Sequence, residues 1–210
     1  MIALEKIHSG YVYGRRVSVL ANAIECLIPT SASVLDLGCG DGLIGHIIAQ
    51  QRKDIKIFGA DVLLRSRTFI PAISFDGQKL PFESEKFDMV MMVDVLHHAQ
   101  DIQAVLLEAS RVAKKYLILK DHLSDRILAK STLRLMDTIG NLRYGVYLPY
   151  NYLSMREWQE LFRQCDLKIE QWNEDLGLYP WWADWLFGRS LHFLTCLEKK
   201  QEWINPDPSS

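Results

Sequence analysis

The sequence predicts an α/β fold: a doubly wound, mostly parallel seven-stranded sheet with a helical cap inserted late in the chain. Three observations carry this. Short apolar runs alternate with segments whose apolar residues recur at helical spacing. The run FDMVMMV (residues 87–93) is almost purely apolar, as befits a strand buried on both faces and not one wetted on one side. Strands alternating with helices close into a parallel sheet through right-handed crossovers.

The elements follow in order. Val17, Leu20, Ala21, Ile24, Leu27 and Ile28 share one helical face, and Pro29 stops the run, so the spacing predicts a helix over 16–28. Residues 33–37 (SVLDL) form the first strand and run into Gly38-Cys39-Gly40-Asp41-Gly42. A helical stripe at Leu43, Ile44, Ile47 and Ile48 comes next, then a second strand, 56–60, stopping at Asp61. A short third strand (73–75) ends at Asp76, and the fourth (87–93) ends at Asp94. A helix over 101–113 leads to a fifth strand, 116–119, followed by Lys120-Asp121-His122. A cap helix near 124–139, a helix over 155–165, a strand over 167–172 and a last strand over 192–197 complete the pattern.

The 210 residues suffice for one well-buried domain. Its expected parts are an N-terminal segment and helix (1–32), a core (33–121), a cap insertion (122–153) and a C-terminal sheet unit (154–200), with a tail over 201–210. The 24 basic and 26 acidic side chains leave a net charge of −2, which argues against a surface built for nucleic acid. No stretch reaches the roughly 18 apolar residues of a membrane span, and MIALEKIHSG lacks a signal-peptide core, so the expected address is the cytoplasm. The four cysteines contain no CxxC pair, so neither a zinc site nor a disulfide framework is suggested.

In a doubly wound sheet, ligands bind beyond the carboxyl ends of the strands, where the first strand-to-helix turn lies. Glycines at 38, 40 and 42 let that turn approach a ligand closely. The spacing is G-x-G-x-G; the sixth position of a dinucleotide fingerprint would fall on Leu43. Asp36 and Asp41 flank the turn and would repel a pyrophosphate but attract a cation. Cys39 reads as a small filler.

VLDLGCGDG resembles motif I of the class I S-adenosylmethionine-dependent methyltransferases, whose sheet is Rossmann-like. The similarity extends over 33 to about 121. LPFESEKFDMVMMVDVLHH resembles the fourth-strand region of the small-molecule, type 11 branch, typified by ubiquinone-biosynthesis enzymes. The resemblance implies S-adenosylmethionine as cofactor and a cofactor set of Asp36, Gly38, Cys39, Gly40, Gly42, Asp61, Val62, Asp76, Gly77, Asp94 and Val95. In it Asp61, 19 residues past Gly42, accepts the ribose hydroxyls, and Asp76 with Gly77 meets the adenine. One departure is plain: Ala113-Lys114-Lys115-Tyr116 stands where the family has Lys-Pro-Gly-Gly.

Candidates for a general base lie beyond strands four and five: His122, Asp121 and His98, with His97 and Lys120 beside them. The alternatives for these residues are backbone hydrogen bonding by the histidines and helix capping by Asp121. The adjacent pair His97-His98 lacks the i, i+4 spacing of a helical metal site, so no metal is expected. Tyr11 and Tyr13, with Arg15 and Arg16, are candidates to cover the cofactor. Tyr147, Tyr150 and Asn151 are candidates for a lid over the substrate. Trp181, Trp182 and Trp185 could line an apolar pocket, touch a lipid surface or simply pack. The expected activity is methyl transfer to a small, partly apolar metabolite. Methylation of RNA or protein, or cofactor binding without turnover, stay open as alternatives.

Overall fold

The computed structural model of the chain describes residues 2–126, 128–141, 149–179 and 191–200. Among these residues seven strands form one sheet: β1 (Ser33–Leu37), β2 (Lys56–Asp61), β3 (Ala72–Ser74), β4 (Phe87–Val93), β5 (Ala113–His122), β6 (Leu167–Asn173) and β7 (His192–Lys199). Their order is β3-β2-β1-β4-β5-β7-β6. The first five pair in parallel, whereas β7 runs antiparallel to both β5 and β6. The strand order reverses between β1 and β4, which puts the switch point at the glycine turn.

The helices are α1 (Ile2–Glu25), α2 (Leu43–Gln51), α3 (Ile102–Val112), α4 (Ala129–Asn141) and α5 (Met155–Gln164). Leu20, Ala21 and Ile24 of α1 and Ile48 of α2 pack with Val34, Met89, Met91 and Ile118 of the sheet. The alternate residues Leu35, Val90, Leu117 and Leu119 face Leu106 and Ala109 of α3 and Trp158 and Phe162 of α5. Sheet residues thus divide by parity between two buried layers, which is why the central strands read as unbroken apolar runs. Each large apolar side chain so buried contributes ~1.5–3 kcal/mol.

Local chemistry fixes the helix starts. The Asp101 side chain accepts from Ala104 N–H at 3.0 Å, and Ser154 with Glu157 forms a reciprocal capping box on α5. Arg111 at the end of α3 donates to Glu108 and to the carbonyls of Leu80 and Phe82, pinning the chain that leads into β4.

Several boundaries differ from the sequence expectation. α1 ends at Glu25 and extends back to Ile2 through Gly10 and Gly14, so the segment before residue 16 continues the helix. β5 is ten residues long because its ends carry Lys114, Lys115 and Lys120, which an apolar-run criterion rejects. The cap helix begins at Ala129, five residues later than expected, and packs through Ala129 and Leu133 on Tyr152 and Leu191. No described helix is long and apolar enough to cross a membrane.

Candidate functional site

The carboxyl ends of β1, β2, β4 and β5 come together at the switch point. There Gly38, Gly40 and Gly42 all take left-handed backbone angles, with φ of +75°, +60° and +76°. Two of them are also sterically required. A Cβ on Gly38 would stand 2.4 Å from Val95 Cγ2, and one on Gly42 would stand 2.5 Å from Ile70 Cγ1. Gly40 differs: a Cβ there would meet nothing within 4 Å, so its outer face opens onto free space. The turn is therefore packed tightly at both ends and open in the middle, the shape of a ligand cradle. Cys39 lies toward Gly59, whose own Cβ would come within 2.6 Å of its sulfur. Burial pushes the Cys39 thiol up, as suits a packing group and not a nucleophile.

Asp61 at the tip of β2 links two loops: one oxygen accepts Gly40 N–H at 2.7 Å, the other Leu63 N–H at 2.7 Å. Its carboxylate thus stands beside the open face of Gly40. Asp36 is 4% exposed, and burial, reinforced by the charges of Asp61 and Asp41, raises its carboxyl to about 7. The Asp36 and Asp61 carboxyls stand together in a buried place, a site where a cation is welcome. Farther out, Val62 is exposed and leans over Gly77, which has a φ of +82°. Asp76 is two residues beyond β3, where it accepts from Gln78 and Lys79 N–H and is held below the usual carboxylate range by those bonds.

Asp94, which the resemblance puts in the cofactor set, does not face outward as a free acid. It sits at φ +58°, a strained angle for a non-glycine residue. Its two oxygens are taken by Arg16 of α1 and Lys120 of β5. Burial would raise its carboxyl, but the Arg16 and Lys120 charges outweigh this and hold it well below the usual range. Asp94 is therefore neutralised from within, and the negative charge left to meet a cation comes from Asp36 and Asp61.

Beside Asp94 lies a buried polar cluster. His97 Nδ1 is 2.7 Å from Asp121 Oδ1, and His122 Nδ1 is 3.2 Å from the same oxygen. Asp121 Oδ2 accepts Leu96 N–H at 3.1 Å. The other ring nitrogen of His122 is 3.8 Å from Asp94. Burial opposes the Asp121 charge, yet the positive charge of His97 and bonds from His122 and His97 hold this carboxyl far below its ordinary value. Burial, then Lys120, push the imidazoles of His122 and His192 below theirs. Asp121 is thus bonded to the 96–98 turn and to His122, and α4 starts eight residues later, so the helix-cap alternative does not apply.

His97 and His98 occupy a single 3₁₀ turn, Leu96–His98, and their rings lie 3.9 Å apart, so adjacency does not separate them as it would on an α-helix. The expectation of no metal site rested on that pair; the fold instead joins His97 to Asp121 and His122. Asn151 donates from its side chain to Ala99 O at 2.8 Å and so braces the turn. Tyr150 is held toward α4, with its hydroxyl 3.2 Å from Thr138 Oγ1 and Arg134 over its ring. The backbone of Tyr11 and Tyr13 lies within α1. Tyr147 and the tryptophans 181, 182 and 185 are outside the described residues. His192 escaped the sequence reading: it is opposite His122 in the antiparallel β5–β7 register, with Nδ1 3.3 Å from Lys120 Nζ. Trp158 was likewise missed; its indole donates to His122 O at 3.0 Å.

A family profile described as a methyltransferase domain matches residues 35–119. Over those 85 of its 210 residues the chain is similar to the methyltransferase domain family. The match covers the cradle, β2, β4 and β5, and stops just before Lys120. Malonyl-[acyl-carrier protein] O-methyltransferase of Legionella pneumophila is 32% identical over 89 residues, which are 38% of this chain and 31% of that protein. The match thus spans less than a third of that relative. Among solved structures, the domain resembles a chain from the complex between the Haloferax volcanii Trm112 methyltransferase activator and a methyltransferase (TM-score 0.66, 16% identity, 94% of this chain and 97% of that one). It also resembles an S-adenosylmethionine-dependent methyltransferase from Mesorhizobium loti (TM-score 0.63, 15% identity, 85% and 96%). At such identities the likeness to solved structures is one of fold.

Proposed function

We propose that this chain binds S-adenosylmethionine in the cradle and transfers its methyl group to a small, partly apolar acceptor held beyond β4 and β5. The observation that carries the reading is the open face of Gly40 with the Asp61 carboxylate beside it. The left-handed glycines let the backbone approach the ligand, Asp61 accepts its ribose hydroxyls, and the Asp36 and Asp61 charges favour its ammonium and sulfonium groups. Val62 and Gly77 form the apolar wall for its adenine.

The cofactor, when bound, supplies an already activated methyl carbon. The chain's task is then to hold the acceptor in line with the carbon–sulfur bond, which removes several kcal/mol of barrier, and to accept a proton where the acceptor carries one. Asp94, at the exposed rim of the polar cluster, and His122 behind it stand on the acceptor side. Asp121 orients His122 through Nδ1. The near-neutral net charge favours a small acceptor over RNA.

Calorimetry with S-adenosylmethionine and its demethylated product tests the binding step. Asp61→Ala should weaken both by ~1–3 kcal/mol through unpaired hydroxyls. If neither compound binds the wild-type chain, the reading fails. Mass spectrometry of a metabolite extract incubated with the chain and a labelled methyl donor tests the acceptor class: label in RNA or protein but in no small molecule would replace this acceptor with a macromolecule, and slow cofactor loss with no labelled product would leave binding alone.

A further inference from the structure

We infer that His97, His122 and Asp121 form a binding site for one divalent transition-metal ion at the carboxyl ends of β4 and β5. The proposal rests on the convergence of three ligand atoms. His97 Nδ1 and His122 Nδ1 are 3.4 Å apart and lie 2.7 and 3.2 Å from one oxygen, Oδ1 of Asp121. All three residues are buried, and these atoms lie within 4.8 Å of one another. A circle through three atoms at those separations has a radius of about 1.8 Å, so an ion at the usual ~2.0–2.1 Å from each sits roughly 1 Å off their plane. Two of the separations, 3.2 and 3.4 Å, lie between the ~2.9 Å of adjacent octahedral ligands and the ~3.4 Å of tetrahedral ones at that bond length, and the third, 2.7 Å, falls a little short of that span. Three ligands on one side of an ion leave its other side open.

Hydrogen bonding accounts for this arrangement less well. Asp121 Oδ1 already accepts His122 N–H at 2.8 Å, and both imidazoles turn the same type of nitrogen toward that oxygen. Two protonated nitrogens so placed would crowd each other at 3.4 Å. Two bare ones would face a carboxylate lone pair, and with only His97 Nδ1 protonated and bonded to Asp121 the bare His122 Nδ1 still faces that oxygen at 3.2 Å. A cation lets both nitrogens and the oxygen direct lone pairs at a single centre.

The surroundings match what orients metal ligands elsewhere. Leu96 N–H holds Asp121 Oδ2, and the second nitrogen of His122 faces the Asp94 carboxylate at 3.8 Å. Two imidazoles and one carboxylate suit zinc, cobalt or iron(II) and disfavour magnesium or calcium. An oxygen bound on the open side would lose its proton more readily, so the ion would take over from imidazole the handling of an acceptor hydroxyl.

The test uses the full chain after chelator treatment and desalting, titrated with Co²⁺ alone and watched by visible absorption. One equivalent should saturate a ligand-field band that Zn²⁺ then removes. His97→Ala and His122→Ala should each weaken Co²⁺ binding at least tenfold. Absence of a saturable band from the wild-type chain overturns the site, as does a band unchanged in both variants. The wild-type titration decides even if a variant fails to fold. Calorimetry with the demethylated cofactor on the same samples separates this proposal from the preceding one: cofactor binding without cobalt binding removes only the metal site, and the reverse removes only the cradle assignment.

Discussion

Replacing Asp36 by Asn should stabilise the unliganded fold above neutral pH while impairing cofactor binding. Asp36 is 4% exposed, and its carboxyl is raised from 3.8 to about 7 by burial and then by Asp61 and Asp41. Between those values the folded chain holds a proton at this position that the unfolded chain has released, so stability falls as pH rises. The shift is about 3 pH units at ~1.4 kcal/mol each, an upper figure of about 4 kcal/mol lost between pH 4 and 7 and constant above. Asn cannot ionise and removes that slope. Urea unfolding at pH 5, 6, 7 and 8 reads the difference between the two chains. The advantage of Asn over Asp should grow by ~2–3 kcal/mol between pH 5 and pH 8. A difference that stays flat across this range would refute the electrostatic account of Asp36. The same substitution removes a charge beside the cradle, so affinity for S-adenosylmethionine should fall at least tenfold, and the proton released when the wild-type chain binds near pH 6 should vanish.

Other consequences are equally direct. Gly38→Ala forces a Cβ to within 2.4 Å of Val95 at a φ of +75°, so it should destabilise the fold by ~1–3 kcal/mol, read by thermal melting, and weaken cofactor binding. Asp94→Asn leaves the fully buried Lys120 without its carboxylate and should cost ~3–5 kcal/mol at pH 7. Burial already lowers the Lys120 ammonium, and without Asp94 its proton leaves more readily, so the deficit should shrink as pH rises toward 10; a deficit independent of pH would argue against a charged Lys120. Trp158→Ala opens a cavity in a fully buried site and frees His122 O, costing ~3–5 kcal/mol by urea unfolding.

The sheet was legible because its central strands are short, apolar and bounded by glycine or aspartate, signals that survive without tertiary context. The cradle was legible for the same reason: Asp36, Gly38, Gly40 and Gly42 alternate within one seven-residue run, and the turn they form is local. The acceptor side was not. His97 meets Asp121 across 24 residues and His122 meets His192 across 70, and only the β4–β5 and β5–β7 registers bring them together. The pairing of Asp94 is hidden in the sequence for a related reason. Its partners Arg16 and Lys120 belong to a helix and a strand on either side of it in sequence, and no local pattern announces a triple pairing. The long α1 was missed because Gly10 and Gly14 lower helix propensity, whereas burial of Leu20, Ala21 and Ile24 anchors the element farther along.

The placement of β7 between β5 and β6 governs how the molecule is made. During synthesis β5 and β6 emerge before their shared neighbour, so until residues 192–199 leave the ribosome each presents an unpaired edge. The cradle and the residues packed against it lie within 33–95 and need nothing that late. Cofactor recognition can therefore mature on a nascent chain whose acceptor side is still open, and the last strand, arriving with His192, closes both the sheet and the polar cluster in a single step. A chain stopped at residue 190 would keep the cradle sequence and lose that wall.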